Sequence, residues 1–488
     1  MKKTDAPINA PRHDKCPSFK IKLFSGREAR LANIRRDELL RNVSRKASCS
    51  FARTKIHTGR LSRGCLICGQ GYWSCLFING LCTAHCFFCP QDRKITRERL
   101  PFEHGGIQFE NAEQYADFLS RFGFRGIGFS GGEALLAFGR LQEYIEAIRR
   151  RFGSAVYLWV YTNGDLVNEE KLRRLKMLGL NEIRFNISAR DYNLDPVALA
   201  AKFIDTVTIE IPAIPEDYRR LAGKLKAIQM LGVKHLNIHQ LTATSYNYKN
   251  YLKRGYTFIQ HPGIPIFESE ICALKLMRFA IRSGIRLPIQ YCSAAYQSRF
   301  QAKGLRERWG PLLKENYDEI TACGYLRRFV VRGSPSDVKR ISGLLQRKGY
   351  LKGLWGVDKT GTEIALHRSI LKLAALERRE VDICYFVVQA SRSLSSDGTG
   401  KEVKLRSGKR LFAKRKLVAR YADLSSAALA AHRELFLEDA EEGKVLRRFF
   451  MRFPSDTEGG FPRLKKETAF LNEARKWERV KEGLPQIC

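Results

Sequence analysis

The stretch GLCTAHCFFCP, residues 80–90, decides how this chain is interpreted, because it places three cysteines within eight residues. The sequence GCLICGQGYWSC, residues 64–75, lies just upstream and contains three more. Clustered cysteines in a large chain are typical of metal ligands rather than of a disulfide framework. The function therefore depends on which of these six thiols act together.

Two groupings of the cysteines are open from spacing alone. Cys65-x2-Cys68 and Cys86-x2-Cys89, separated by 17 residues, match the spacing of a four-thiolate zinc ribbon. That grouping leaves Cys75 and Cys82 without a role. The other grouping takes Cys82-x3-Cys86-x2-Cys89 as one unit, whose three thiolates can hold three irons of a [4Fe–4S] cluster and leave the fourth iron open to a ligand.

A second motif, GFSGGEALL at residues 128–136, follows a segment predicted to be a strand. The adjacent Gly131 and Gly132 let a ligand approach the backbone closely, and the carboxylate of Glu133 can accept hydrogen bonds from an ammonium group. With this motif the chain resembles the radical S-adenosylmethionine (SAM) superfamily, whose signature is C-x3-C-x-aromatic-C. Phe88 occupies the aromatic position.

The resemblance implies roles for individual residues. It implies that Cys82, Cys86 and Cys89 bind a [4Fe–4S] cluster. It also implies a SAM site near the cluster, with contributions from Phe88, Gly131, Gly132, Glu133, Asn163 in the turn YTNG and Ser188 in the segment NIS. The reaction implied is reductive cleavage of SAM followed by hydrogen abstraction from a substrate. A low-potential electron donor of the flavodoxin or ferredoxin type is then a required partner.

The resemblance covers about residues 75–300. Within the superfamily the chain looks closest to proteins related to pyruvate formate-lyase activating enzymes, on the segments WSCLFINGLC, IEIPAIP and LNIHQL. It is much longer than such an activase and also has the upstream cysteines and a C-terminal domain.

The predicted fold class is α/β, with three parts. Residues 1–60 form a basic N-terminal segment with a helix in GREARLANIRRDELLRNVSRK. Residues 61–324 form the radical SAM domain, with a cysteine-rich loop over about 61–95 and then about six βα units, which predict a partial or full barrel. Residues 325–488 form an α+β accessory domain, a candidate for docking the substrate.

Other residues are candidates for additional roles. A second iron–sulfur cluster and a zinc ion are both open for an auxiliary site, and the alternative is that Cys75 and Cys292 are small buried apolar groups. That auxiliary set is Cys65, Cys68, Cys75 and Cys292. Glu210 and His239 fall at predicted strand ends, so they are candidates to face the substrate at the barrel mouth.

Composition restricts the partners and the location. The net charge of +36 over 488 residues favours a polyanionic partner, either RNA or an acidic protein or peptide. We find neither a long uncharged apolar run nor an apolar leader, which predicts a cytoplasmic protein without a membrane span. Two substrate classes stay open, RNA and a protein or peptide, the latter including glycyl-radical activation. The alternative from another class is a zinc-ribbon nucleic-acid-binding protein without catalysis.

Overall fold

A computed structural model describes residues 21–91, 99–261, 263–371, 380–391, 393–394, 400–438, 440–451, 460–485 and 487. Residues 1–20 of the predicted basic N-terminal segment lie outside this set. Along the described residues, no helix is both long enough and apolar enough to cross a membrane.

The first part of the chain builds a large sheet with helices around it. Its strands are β1 (Ser48–Ser50), β2 (Lys55–His57), β3 (Trp73–Phe77), β4 (Phe102–Glu103), β5 (Gly126–Ser130), β6 (Tyr157–Thr162), β7 (Glu182–Phe185), β8 (Thr206–Pro212), β9 (His235–His239) and β10 (Ile289–Cys292). Its helices are α1 (Gly26–Ser44), α2 (Arg63–Gly69), α3 (Ala112–Phe122), α4 (Phe138–Phe152), α5 (Glu169–Met177), α6 (Asp195–Ala200), α7 (Tyr218–Met230), α8 (Tyr248–Lys253), α9 (Phe267–Arg282), α10 (Ala294–Tyr296) and α11 (Ala302–Leu313).

Seven of these strands form a continuous parallel run in the order β3-β5-β6-β7-β8-β9-β10. The α/β class and the parallel βα arrangement predicted for the barrel are therefore confirmed. The prediction that a cysteine-rich loop fills about residues 61–95 is wrong for residues 63–77. That range contains α2 and also β3, which is the first barrel strand, because Trp73–Phe77 is a short apolar run that pairs with β5.

Alternation along the strands gives the barrel two different faces. Ile183, Ile209 and Ile238 belong to the hydrophobic core. The neighbouring residues Arg184 and Glu210 project to the opposite face, because successive strand residues alternate. The inner face is therefore polar, and it leads to the carboxyl ends of the strands, where barrel enzymes place their active sites.

The N-terminal segment supplies the edge of this sheet. Strand β2 pairs antiparallel with β10, so that Lys55 lies directly opposite Cys292. The predicted N-terminal helix is confirmed as α1, which packs on α9 with the Arg36 guanidinium 3.6 Å from the Glu270 carboxylate. The described part of this segment is therefore built into the barrel.

The C-terminal part forms a separate antiparallel sheet. Its elements are β11 (Glu319–Ile320), β12 (Leu326–Arg332), α12 (Pro335–Arg347), β13 (Trp355–Val357), β14 (Glu363–Leu366), β15 (Val381–Ser391), β16 (Gly400–Lys404), β17 (Arg410–Leu424), α13 (Ser426–Phe436), α14 (Glu442–Met451) and α15 (Gly460–Glu478). The sheet order is β13-β14-β12-β15-β17-β16, with β11 paired to β12. Val403 and Leu411 join the same apolar core as Trp309 of α11, so the long strands also pack on the barrel.

A buried carboxylate holds the C-terminal domain together. Glu478 accepts hydrogen bonds from Arg327 at 2.5 Å, Tyr385 at 2.7 Å and His432 at 3.2 Å. Burial alone would raise the pKa of Glu478, but the bonds from His432 and Arg327 outweigh it and lower the pKa from 4.5 to about 2. Its ionised form therefore stabilises the folded domain above pH 4.5, and that stabilisation is lost as the pH falls toward 2.

We expect Glu478→Gln to lower the free energy of unfolding by about 3 kcal/mol at pH 7, the size that follows from this pKa shift. Urea unfolding followed by tryptophan fluorescence at pH 7 and at pH 3 measures it. The difference in the free energy of unfolding between Glu478→Gln and wild type should be smaller at pH 3 than at pH 7. Glu441→Gln, which removes an exposed carboxylate paired with Lys444, is the control and should change stability by less than about 0.5 kcal/mol. Equal losses in the two variants would contradict the role of Glu478.

Candidate active site

The cluster loop, residues 80–91, follows β3 and lies at the carboxyl ends of the parallel strands. Cys82 is exposed, whereas Cys86 and Cys89 are half-buried, and none of the three forms a disulfide. The backbone N–H of Ala84 donates to the Cys82 sulfur at 3.4 Å. Three thiols on one short turn supply the donor set that a [4Fe–4S] cluster with one open iron requires.

The Gly-Gly-Glu turn is in direct contact with this loop. The Glu133 N–H donates to the Leu81 carbonyl at 2.7 Å. Gly132 has φ +60°, and a Cβ on it would lie 1.8 Å from the Leu81 oxygen. Gly131 has φ +87° and approaches Phe77 and Asn79 in the same way. Glycine is therefore required at both positions because the turn packs against the cluster loop, a reason that the sequence does not show.

The carboxylate of Glu133 joins this turn to the end of the next strand. It accepts hydrogen bonds from the N–H of Leu135 at 3.1 Å, the hydroxyl of Thr162 at 2.8 Å and the N–H of Asn163 at 2.7 Å. Burial raises its pKa, and these donors act against that rise. The carboxylate that was predicted to meet the SAM ammonium therefore already accepts three hydrogen bonds, two of which fix the turn after β6.

Asn163 completes the connection back to the cysteines. Its amide donates to the Thr83 hydroxyl at 2.9 Å and lies 3.9 Å from the Cys82 sulfur. Its carbonyl oxygen accepts from the Asp165 N–H at 2.9 Å. The cluster loop, the Gly-Gly-Glu turn and the turn after β6 thus form one hydrogen-bonded unit.

A cleft of about 520 Å³ opens beside this unit. Its lining includes Asn163, Asp165, Phe185, Ile187, Arg190 and Pro196. The volume falls within the range of about 300–1,000 Å³ typical of small-molecule sites. Ser188 is not among the lining residues, and its hydroxyl donates to Asn186 at 2.6 Å.

Arg190 gives this cleft its polar character. It forms an ion pair with Asp165 and donates to the Thr83 carbonyl at 2.7 Å. Its Nε is buried and has no hydrogen-bond partner among the described residues. Buried polar groups are nearly always paired, so this unused donor fits a site that receives a polar ligand.

Glu210 and His239 both lie on the inner face of the barrel. Glu210 accepts from Arg184 at 2.7 Å and from Asn237 at 2.8 Å. Burial would raise the pKa of Glu210, but the Arg184 charge and the Asn237 bond leave it lowered. Burial lowers the pKa of His239, partly offset by Glu210. Their contact with substrate stays a prediction.

The four candidate auxiliary cysteines are spread over three elements. Cys65 and Cys68 come from α2, Cys75 from β3 and Cys292 from the end of β10. Side-chain amides donate to two of the sulfurs, Gln290 to Cys65 at 2.8 Å and Gln301 to Cys68 at 2.7 Å. Burial raises the pKa of Cys68 to about 12, so this group is a protonated thiol at neutral pH.

Within the part of the chain that the structure describes, no three His, Cys, Asp or Glu side chains are grouped closely enough to hold a single metal ion. The auxiliary site therefore gains no support from the positions of its cysteines. The same finding holds for the three cysteines of the cluster loop. A [4Fe–4S] cluster does not need them around a single ion, because each thiol would bind a different iron.

Residues 240–266, which follow β9 and which we call the β9 insertion, hold the other side of the cluster loop. Asn247 donates to the Phe88 carbonyl at 3.0 Å and Asn250 to the Phe87 carbonyl at 2.8 Å. The ring of Phe88 packs against the apolar cluster of this insertion, beside Tyr251. The loop is therefore fixed from two sides before any cofactor binds.

We expect Asn250→Ala to accelerate the loss of iron from the assembled protein by about 10- to 100-fold, the usual cost of removing a group that orients a metal-binding element. Iron release to a chelator, followed by the loss of visible absorbance, measures this. Asn111→Ala removes the N-cap of α3, away from the loop, and should leave the release rate unchanged. Equal acceleration in both variants would show general destabilisation instead.

Several residues of the site were not predicted from the sequence. Thr83, Asp165 and Arg190 belong to no recognised motif, although each lies within four residues of a predicted site residue. Lys55 comes from the distant strand β2, and nothing in its local sequence indicates that it enters the barrel.

Comparison with known proteins agrees with this geometry. Residues 76–197 match the radical SAM superfamily. A protein of Methanocaldococcus jannaschii, provisionally named a glycyl-radical enzyme activating enzyme, is 28% identical over 300 residues, which are 59% of this chain and 78% of the relative. The chain therefore contains a radical SAM domain over these residues, as radical SAM enzymes do. In sequence it is also similar to a protein named as an activating enzyme.

Solved structures give weaker matches. SuiB of Streptococcus suis bound to S-adenosylmethionine has a TM-score of 0.31 and 9% identity, covering 44% of this chain and 49% of SuiB. Coproporphyrinogen III oxidase of Escherichia coli, a radical SAM enzyme, has a TM-score of 0.29 and 14% identity, covering 42% and 51%. The chain thus spans about half the length of each, and at these TM-scores the likeness carries no argument.

Proposed function

We propose that the protein uses a [4Fe–4S] cluster held by Cys82, Cys86 and Cys89 to cleave SAM reductively and to abstract a hydrogen atom from a macromolecular substrate. The observation that carries the proposal is the hydrogen-bonded unit that joins Thr83, Glu133 and Asn163 at the barrel mouth. This unit brings the predicted cluster loop and the predicted SAM turns together beside a cleft.

The chain's own residues have defined tasks in this proposal. Gly131 and Gly132 let the turn contact the cluster loop, Glu133 fixes the turn of β6, and Asn163 and Arg190 face the cleft with polar groups. When bound, the cluster and SAM supply a one-electron cleavage that creates a carbon radical. The polar barrel interior, with Glu210 and His239, receives the substrate group. A labile cluster requires a reducing compartment, which supports a cytoplasmic location.

A protein or peptide is the substrate class that the relative supports, because that relative is named an activating enzyme of glycyl-radical enzymes. RNA is the second candidate, favoured by the net charge of +36. The C-terminal domain, residues 325–488, is proposed to dock either one. Nucleic acid that copurifies and is released steeply with salt would favour RNA, whereas its absence would favour a protein.

Anaerobic reconstitution tests the central proposal. The expected product is a brown protein with about four irons per chain, which cleaves SAM to 5′-deoxyadenosine once dithionite is added. A colourless protein with stoichiometric zinc and no SAM cleavage would overturn it. About eight irons would show a second cluster at the auxiliary cysteines, and about four would leave those cysteines as thiols.

The zinc-ribbon alternative has no support from the positions of its cysteines. Cys65 and Cys68 are buried inside the barrel, bonded to side chains of the barrel interior and of the helical segment after β10. Cys86 and Cys89 lie on the loop at the barrel mouth. A noncatalytic ribbon protein also disagrees with the superfamily match.

A further inference from the structure

The β9 insertion has one face on the cluster loop and another face in solvent. Asn247, Asn250 and Tyr251 point toward the loop, where two of them bond its backbone carbonyls. The guanidinium of Arg254 lies 3.5 Å from the centre of the Phe87 ring. The insertion is therefore rigidly coupled to the residues next to Cys86 and Cys89.

The outer face of the insertion is basic. Lys249 and Lys253 are exposed and lie one turn apart on α8, so they share a face. Tyr246 is 55% exposed beside them. Among the described residues, no carboxylate lies within ion-pair distance of either lysine, and the nearby Glu216 is bonded to Arg254 and Tyr256.

We propose that this face, formed by Tyr246, Lys249, Lys253 and Arg254, is where an acidic one-electron carrier protein docks to reduce the cluster. The inference rests on the proposed function, which requires such a carrier. Electron transfer slows steeply with distance, so a carrier must dock close to the cluster loop. The insertion offers Lys249 and Lys253 there, which have no ion-pair partner among the described residues, and its Asn247 and Asn250 bond the loop directly. Complementary charge at such a surface accelerates association rather than strengthening a static complex.

The test is stopped-flow reduction of the reconstituted protein by a reduced, negatively charged flavodoxin. We expect Lys249→Glu with Lys253→Glu to slow the bimolecular rate by about 10- to 100-fold at low ionic strength. The deficit should disappear at high salt, where surface charges are screened. The neutral pair Lys249→Gln with Lys253→Gln should give an intermediate rate.

Two controls separate docking from other effects. Lys339→Glu with Lys348→Glu makes the same change in net charge beside α12 of the C-terminal domain and should leave the rate within about twofold of wild type. Dithionite, a small reductant that needs no docking, should reduce every variant alike. Equal slowing in both reversed pairs, or no slowing in the first pair, would overturn the docking proposal. If the first pair instead loses affinity for an acidic peptide or RNA alone, the surface belongs to the substrate, which also overturns it.

The proposed function fails in a different way. A wild-type protein that binds no iron, or that dithionite cannot reduce, would contradict the cluster itself and not its docking surface.

Discussion

Replacing Cys82 with alanine is expected to abolish both the cluster and SAM cleavage. Loss of a group that merely orients a metal ligand costs about 10- to 100-fold, so loss of a ligand should cost more than about 100-fold. Iron should fall from about four per chain to below about one. Iron analysis after anaerobic reconstitution and the yield of 5′-deoxyadenosine with dithionite measure the two effects.

Because Cys82 is exposed and its sulfur accepts one bond from the backbone of its own loop, the variant should fold normally. Circular dichroism checks this. Cys49→Ala, at a half-buried position on β1, is the matched control and should keep both iron and activity. A Cys82→Ala protein that still binds iron and cleaves SAM would refute the three-thiol cluster. Stoichiometric zinc in that variant would support the zinc-ribbon alternative.

The cluster loop and the Gly-Gly-Glu turn could be predicted because their chemistry is local in sequence. Cys82, Cys86 and Cys89 lie on one turn, and the strand before Gly131 ends where its apolar run ends. The βα alternation was likewise readable, since each strand is followed by a helix with its own apolar face. Such features depend on neighbours within a few residues.

The remainder depends on contacts between distant segments. The upstream cysteines resemble a metal loop in sequence, yet Cys65 and Cys68 lie on a helix inside the barrel and Cys75 on its first strand. Lys55 reaches Cys292 only because β2 closes the sheet edge at β10. The bonds that Glu133 accepts from Thr162 and Asn163 likewise require β5 and β6 to pair, which no motif encodes.

Changing Glu133 to glutamine is expected to weaken SAM binding by about 10- to 100-fold while iron is retained. The glutamine side chain would place its NH2 group against a group that now donates a hydrogen bond to the carboxylate, such as the Asn163 N–H at 2.7 Å. Two donors would then face each other. A buried donor left unpaired costs about 1–3 kcal/mol, and each 1.4 kcal/mol corresponds to about tenfold in affinity. Titrating the electron paramagnetic resonance signal of the reduced cluster with SAM measures the dissociation constant.

Glu146→Gln serves as the matched control for this substitution, because Glu146 is exposed on α4 and pairs only with Arg174 in the described residues. It should bind SAM as wild type does. Glu133→Asp keeps the charge but shortens the side chain, so affinity should be partly restored if acceptance of the Asn163 and Thr162 bonds is what matters. If Glu133→Gln bound SAM with wild-type affinity, the hydrogen bonds accepted by the Glu133 carboxylate would not organise the SAM site. Loss of iron in that variant would instead mean that the Glu133 carboxylate supports the cluster loop through Asn163, whose amide donates to Thr83.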